Sequence, residues 1–363
     1  MRPSTSTVGR LAAAALASAA LAVACVPPPV PPPPGPPPGP QPIPDLPNPP
    51  TLTRTAVVSG QGGVVWDVAF LADGTMFFDL RSGPIRVRLP DGTVQDVVTP
   101  ADVRHTGGEG GMLGLAVDPD FATNRFLYAC YSASLAGGGT DNRLVRFTVN
   151  ATLDGVDAAL PIVTGIPHND ASGGRHSGCR PRFAPGTSEL FVGTGDAAAH
   201  SHPQDPASLG GKVLRIDRDG NGLAGNPGVD TPASGFDPRV FTRGHRNVQG
   251  IGFRPGSSQP FAAEHGPTVD DELNRLTPGA NYGWRPLPPY DESVPMTDHT
   301  LAGCPCTDAT WSSGSPTVAP SGMTFLDGAQ WKGWDGAAVV VLLKNASLGS
   351  GRACSASTPP GRR

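Results

Sequence analysis

Charge is scarce in this chain: Asp, Glu, Lys and Arg make up 16% of its 363 residues, the formal net charge is −4 and the pI is about 6.0. A balance so near neutral provides no general basic surface, which argues against nucleic acid as a partner, and it is not acidic enough to keep the chain disordered. No long stretch repeats apolar residues at the helical period, which argues against a doubly wound nucleotide-binding fold. The cysteines at 304 and 306 are too close for an ordinary zinc site, and no second pair completes one. The run "DRDGNG", Asp217 to Gly222, begins like a calcium loop, but Gly228 stands where the bidentate glutamate belongs, so it reads as a hairpin turn.

The first fifty residues lack the composition of a packed domain. Arg2 and Arg10 precede the apolar run "LAAAALASAALAVA", which is too short to span a bilayer and ends in small residues before Cys25. Residues 1–25 therefore read as an export signal. The ending "AVAC" resembles the processing box of bacterial lipoproteins, in which the cysteine is lipidated and anchors the mature chain; Ala22 stands where a larger aliphatic residue is usual, and plain secretion or periplasmic release is the other outcome. Residues 26–50 contain 16 prolines, which favour extended polyproline II, a semi-rigid stalk reaching roughly 75 Å. With Cys25 lipidated, Cys130, Cys179, Cys304, Cys306 and Cys354 remain; export permits disulfides, and an odd number leaves a free thiol.

From residue 51 to 345 short apolar runs alternate with turn residues. "VVWDVAFLADGTMFFDL", "GLAVDPDFATNRFLYACYS", "RFAPGTSELFVGTGD" and "GIGFRPGSSQPFAAEHG" each place "ADG", "DPD", "APG" or "RPG" between two strand-like segments. That is the hairpin pattern of an all-β protein, and its length fits a propeller, whose loops at one end converge on a central channel. The tail 346–363 has no alternation and no aromatic residue, although it follows "AAVVVLLK", an apparent core strand. It reads as irregular and out of register with the rest, as a frameshift would leave it, with the last blade incomplete.

Four polar clusters fall at strand ends. "GGRHSGCRPRF" sets His176 in a glycine-bounded run with three arginines, and "GGEGGMLG" sets Glu109 among glycines, where backbone can approach a ligand closely. "GHRNVQG" puts Arg246 beside Asn247, a pair able to bind an oxygen-rich planar anion through several donors. "AEHGPTVDDELN" gathers Glu264, Asp270, Asp271 and Glu272 around Gly266 and Pro267, an oxygen-rich loop suited to calcium. Each alone reads equally as a solvated loop.

In their order and spacing these clusters, together with "LFVGTGD", "GGKVLRIDRDG", "NYGW" and "PTVAPSGMTF", resemble the soluble glucose and aldose sugar dehydrogenases that depend on calcium and pyrroloquinoline quinone (PQQ), the glucose/sorbosone dehydrogenase family. The resemblance implies a six-bladed β-propeller that oxidises an aldose or related sugar and passes electrons to an external acceptor. It implies that His176 is the general base, that Asp196 orients it, and that Glu109 lies near the sugar hydroxyl. Arg246 and Asn247 match residues that hydrogen-bond the quinone oxygens. Gly266 and Pro267 match the carbonyls that hold the cofactor's calcium, and Thr317 and Lys344 match further cofactor contacts. Glu272 and the Tyr282 carbonyl match ligands of a second, structural calcium.

The departures are equally definite. Ser312 and Ser315 replace an aromatic pair near the sugar in the glucose-oxidising type, and Arg175 stands where that type has an aspartate. A pair of arginines that grips the cofactor carboxylates has no counterpart after Lys344. The alternative reading is a truncated or non-catalytic propeller that binds carbohydrate or a protein partner.

Overall fold

The computed structural model describes residues 51–344. The export segment with Cys25, the proline-rich stretch 26–50 and the tail 346–363 with Cys354 lie outside the described residues. Five antiparallel sheets follow one another along the chain. The first comprises β1 (Val65–Phe70), β2 (Met76–Leu80), β3 (Ile85–Arg88) and β4 (Val94–Val98). The second comprises β5 (Met112–Val117), β6 (Phe126–Ser134), β7 (Thr140–Val149) and β8 (Val156–Ile166). The third holds β9 (Gly178–Phe183), β10 (Leu190–Thr194), β11 (Lys212–Ile216) and β12 (Val240–Arg243). The fourth holds β13 (Val248–Phe253), β14 (Pro260–Glu264), β15 (Glu272–Arg275) and β16 (Trp311–Ser312), and the fifth pairs β17 (Pro320–Phe325) with β18 (Ala338–Leu342).

The hairpins form where the turn residues stand. "ADG" joins β1 to β2, "APG" joins β9 to β10 and "RPG" joins β13 to β14, whereas "DPDFATN" makes a one-turn helix, α1 (Phe121–Asn124), between β5 and β6. In "DRDGNG" the Asp217 carboxylate accepts the Asp219 and Asn221 amides, each at 2.9 Å, and closes a turn. The longest α-helices among the described residues have four residues, in keeping with the missing helical period.

Every sheet begins with its innermost strand. β1, β5, β9, β13 and β17 pack successively against one another around an axis, the arrangement of a β-propeller. Backbone approach there is close: a Cβ on Gly114 of β5 would lie 2.5 Å from the Cys179 carbonyl of β9. Second strands are sandwiched between neighbouring sheets, so β2, β10 and β14 are buried along their whole length and read as continuous runs rather than alternations. The core is accordingly a series of layers. Phe77, Met112 and Leu127 fill the space between the first two sheets; Leu144, Val192 and Leu214 fill the next; Phe191, Val248 and Ile251 the third; Phe261, Leu273 and Met323 the fourth. Outer strands meet water, and β8 is the clearest case, with most of its residues exposed or half-buried.

The described residues hold four full blades and one two-stranded sheet, a smaller number than the six implied by resemblance. Between the first and fifth sheets lies a cleft of about 570 Å³, lined by Val65, Val68 and Phe70 of β1 and by Val339 and Val341 of β18. Phe70 and Val341 are 62% and 56% exposed, so both walls present apolar surface.

Among the described residues two disulfides are present. Cys130 of β6 joins Cys179 of β9 within the buried layer between the second and third sheets, and Cys304 joins Cys306 in the loop before β16. The cysteines at 304 and 306 are therefore structural and not metal-binding.

Buried charge ties the inner strands together. Arg182 of β9 grips Asp67 of β1 through two hydrogen bonds of 2.9 and 2.8 Å, and Arg180 adds a contact of 3.1 Å while donating to the Gln249 carbonyl of β13 at 2.7 Å. Burial works to raise the Asp67 carboxyl, but Arg182 and Arg180 outweigh it and hold the group at about 2. A folded pKa below the unfolded value contributes stability that is present above about pH 4 and lost as pH falls toward 2, here about 2 kcal/mol. Neighbouring Asp79 works in the opposite sense: burial, then the charge of Asp67, pushes it well above the carboxylate range. Urea unfolding between pH 5 and 2 is expected to show a steeper loss of stability in the native protein than in Asp67→Asn; equal slopes would remove this assignment.

Candidate functional site

In an antiparallel sheet the start of the innermost strand and the end of the second lie at the same rim. Glu109, His176 and Asn247 precede β5, β9 and β13, while Asp196 and His265 follow β10 and β14. Alternation of strand direction thus delivers residues scattered over 150 positions of sequence to one end of the axis.

The strand β9 is preceded by a loop in the left-handed region, with φ of 66° at Gly173, 82° at Gly174, 58° at His176 and 57° at Gly178. For histidine that conformation costs about 1–2 kcal/mol and must be held by outside contacts. Those contacts are present: the His176 amide donates to Glu109 Oε2 at 2.8 Å, and its carbonyl accepts from the Ala197 amide at 3.2 Å. Gly195 is required for this approach, since a Cβ there would lie 1.9 Å from the His176 carbonyl oxygen.

The imidazole is 3% exposed, and its Nδ1 donates to Asp196 Oδ1 at 2.8 Å. Asp196 is completely buried and also accepts from the Ala198 amide, from Trp284 Nε1 and from the Tyr290 hydroxyl, each at 2.8 Å. A carboxylate with this many donors is fixed, so it fixes the ring that donates to it. The proton is held on Nδ1, and Nε2 has no partner among the described residues. Tyr290 lies over the pair, 3.0 Å from Nδ1, and burial, then the Asp196 charge, raises its phenol far above the ordinary range.

Arg246 and Asn247 approach from the fourth sheet. The Arg246 amide donates to Glu264 Oε2 at 2.9 Å, and the Asp196 amide donates to the Arg246 carbonyl at 2.8 Å, so this arginine is stitched directly to the histidine's partner. Its guanidinium donates to the His265 carbonyl at 3.0 Å and to Glu292 at 2.8 and 2.7 Å. The Asn247 side-chain oxygen accepts the Gly178 amide at 3.1 Å and Gln249 Nε2 at 3.2 Å. Burial raises Glu292, but Arg246 and Arg175 prevail and hold it below the usual glutamate value.

The acidic loop after β14 is used differently from its sequence reading. Asp271 accepts the Gly266 amide at 2.8 Å and the Val318 and Ala319 amides, so it braces the Gly266–Pro267 turn against the segment containing Thr317. Lys344 Nζ donates to Thr317 Oγ1 at 2.6 Å. Glu264 accepts from His245 Nδ1 and from Asn274, at 2.8 and 2.6 Å, and is consumed in the core. Asn274 also donates to Glu272 at 3.0 Å, whose carboxyl is pushed well above the usual value by burial and then by Glu264. Tyr282 stacks on His245 with ring centroids 4.7 Å apart. Ser312 Oγ donates to Asp270 at 2.8 Å.

The donors and acceptors left over fit a polar ligand. His265 Nε2 is buried without a partner beside Arg246 and can donate, which suits a quinone rich in oxygen atoms, whereas the unpartnered Gln249 Oε1 beside Asn247 is an acceptor and calls for a donor. Asn274 Nδ2 sits between the Glu264 and Glu272 carboxylates while its Oδ1 is buried without a partner, an acceptor that suits a cation near Glu272. Among the described residues no cluster of three or more His, Cys, Asp or Glu side chains forms a metal cage. The calcium ligands implied at Gly266, Pro267 and Tyr282 are backbone carbonyls, a donor type outside such a cluster.

The structure thus brings His176, Asp196, Glu109, Arg246 and Asn247 together and joins Gly266 to Thr317 through Asp271. The reading from sequence passed over Tyr290, Trp284, Glu292 and His265. Their signal was present in "EHGP" and in "NYGWRPLPPYDE", an aromatic and acidic run in a proline-rich loop, but nothing local says that this loop folds over the histidine.

A β-propeller with a carboxylate-held histidine and an arginine–asparagine pair at one end of its axis agrees with the family resemblance drawn from the sequence. The sequence profile of the Glucose / Sorbosone dehydrogenase family matches residues 63–355, and the chain belongs to that family. It is 28% identical to the aldose sugar dehydrogenase YliI of Escherichia coli K12, over 82% of this chain and 79% of that protein. It is 29% identical to the quinoprotein glucose dehydrogenase B of Acinetobacter calcoaceticus, over 57% of this chain and 47% of that protein. Among solved structures, the PQQ-bound aldose sugar dehydrogenase of Streptomyces coelicolor superposes with a TM-score of 0.63 at 28% identity, covering 84% of this chain and 82% of that one.

Proposed function

We propose that this chain is a PQQ- and calcium-dependent oxidoreductase that removes a hydride and a proton from a C–OH group of an aldose or related sugar, with His176 as the general base. The observation that carries this reading is the His176–Asp196 pair, with Nδ1 held at 2.8 Å and Nε2 without a partner among the described residues, next to Arg246. When bound, PQQ supplies a two-electron hydride acceptor and calcium a Lewis acid.

The chain's own residues account for the rest. His176 Nε2 takes the hydroxyl proton as the C–H bond gives up its electron pair, and the sugar carbon becomes a carbonyl. Asp196, itself held by Trp284, Tyr290 and an amide, stabilises the imidazolium that results. Arg246 and Asn247 present donors where negative charge arrives. Glu109, which braces the His176 amide, would lie beside the sugar hydroxyl. Arg246, Asn247, Gly266, Pro267, Thr317 and Lys344 would hold the cofactor and its calcium, and Glu272 and Tyr282 a structural calcium.

The finer features of this reading are a six-bladed ring, supported by apolar surface on both walls of the cleft between β1 and β18, and export with anchoring through a lipidated Cys25. An external acceptor takes the electrons. The test is equilibrium binding of PQQ to the full chain with calcium present or chelated, followed by dye reduction with a panel of aldoses. Binding that is lost with the chelator and turnover on at least one sugar are expected. Absence of calcium-dependent binding would favour the alternative, a propeller that binds carbohydrate or a protein without catalysis.

A further inference from the structure

We propose that Glu292 is a positioning residue that fastens the loop carrying His176 to Arg246, so that the base and the neighbouring cation are held as one unit. This rests on the roles given above to those two residues.

Glu292 belongs to a short strap between β15 and β16. The strap is closed on itself by reciprocal hydrogen bonds between Leu287 and Asp291, at 3.0 and 2.6 Å, and is tied to the rim where His200 Nδ1 lies 3.1 Å from the Pro289 carbonyl. From there it reaches both halves of the site. Glu292 Oε1 accepts from Arg246 Nε and Nη2 at 2.8 and 2.7 Å, while Oε2 accepts from Arg175, the residue just before His176. Each arginine also lies over an aromatic ring of the same segment: Arg175 is 5.4 Å from the Tyr290 centroid and Arg246 is 5.7 Å from that of Trp284.

Burial separates the Arg246 arm of this bridge from an ordinary surface ion pair, whereas the Arg175 side chain is 40% exposed. The Arg246 and Glu292 side chains are 6% and 19% exposed, so water competes weakly for them. A guanidinium carries five N–H donors in a rigid fork. Two point to Glu292 and one to the His265 carbonyl, which fixes the plane and leaves one N–H on each terminal nitrogen for a ligand. On the other side, the left-handed backbone at His176 needs restraint from outside its own loop, and the Arg175 tether is one such restraint. The positive charge at position 175, where the glucose-oxidising relatives were expected to carry an aspartate, therefore has a partner in this chain.

The test compares the full chain with Glu292→Gln and Glu292→Asp. In hydrogen exchange without added cofactor, Glu292→Gln is expected to raise exchange about tenfold in peptides covering both 172–178 and 244–248, with little change in Tm, and Glu292→Asp to restore part of the protection. Faster exchange confined to the strap itself overturns the proposal. In PQQ-loaded protein, Glu292→Gln is expected to lower kcat about tenfold with the sugar KM within about threefold, again with partial rescue by aspartate. An unchanged kcat also overturns it. Failure of the native chain to bind PQQ sinks the proposed function instead, and the exchange comparison still decides whether Glu292 joins the two segments.

Discussion

Replacing His176 with alanine is expected to lower sugar turnover by about 10²- to 10⁴-fold while leaving calcium-dependent PQQ binding within a few fold. The size follows from the geometry. Asp196 accepts four hydrogen bonds and commits Nδ1 to donation, so Nε2 is the atom left to accept a proton. No neighbouring group replaces it. Tyr290 is closest, but its phenol is held protonated and its hydrogen bond is spent on Asp196. Because position 176 has a φ of 58°, His176→Asn is the better-folded companion variant, since asparagine tolerates the left-handed region. Steady-state rates of both variants at saturating PQQ decide the matter, and a loss below about tenfold would give the proton to another group.

Removing the Cys130–Cys179 disulfide by a double change to alanine is expected to cost about 4 kcal/mol, from closure of a loop between cysteines separated by 49 positions. The same relation assigns about 1–2 kcal/mol to Cys304–Cys306, separated by two positions. The difference matters because total stabilities are about 5–15 kcal/mol. Both cysteines of the larger bridge are fully buried within the layer between the second and third sheets, so the bond adds a covalent link between two blades that otherwise meet through side-chain packing and hydrogen bonds such as Arg182 to the Leu115 carbonyl and Arg218 to Asp118. Urea unfolding of the two double variants should separate them clearly. Equal midpoints would mean that the unfolded chain keeps those sheets together without the bond.

These expectations draw on different amounts of sequence information. The turns "ADG", "APG" and "RPG" announced hairpins, and the structure forms hairpins there, because a turn is decided by the few residues it contains. His176, Asp196, Arg246 and Asn247 were legible through family resemblance, and the structure adds their distances. Tyr290 and Glu292 were not legible. They meet His176 and Arg175 across 114 and 117 positions, in a loop with no periodicity to reveal which way it folds. The acidic run after β14 invited a reading as cation ligands, yet Asp271 spends both oxygens on backbone amides, a use that composition cannot distinguish from metal binding. Cysteine pairing was hidden for a similar reason: a count fixes parity but not partners.

The order of the sheets along the chain has a consequence for biogenesis. Each blade is made of consecutive strands, so it can form as the polypeptide emerges, at about 5–20 residues per second, without waiting for distant segments. Cys130 and Cys179 both appear well before Cys304 and Cys306, and the only thiol they meet at that stage among the described residues is each other's. Chain order therefore places both halves of the inter-blade bridge, and both members of the His176–Asp196 pair, ahead of Cys304 and Cys306 and of the Arg246, Tyr290 and Glu292 that cover the pair.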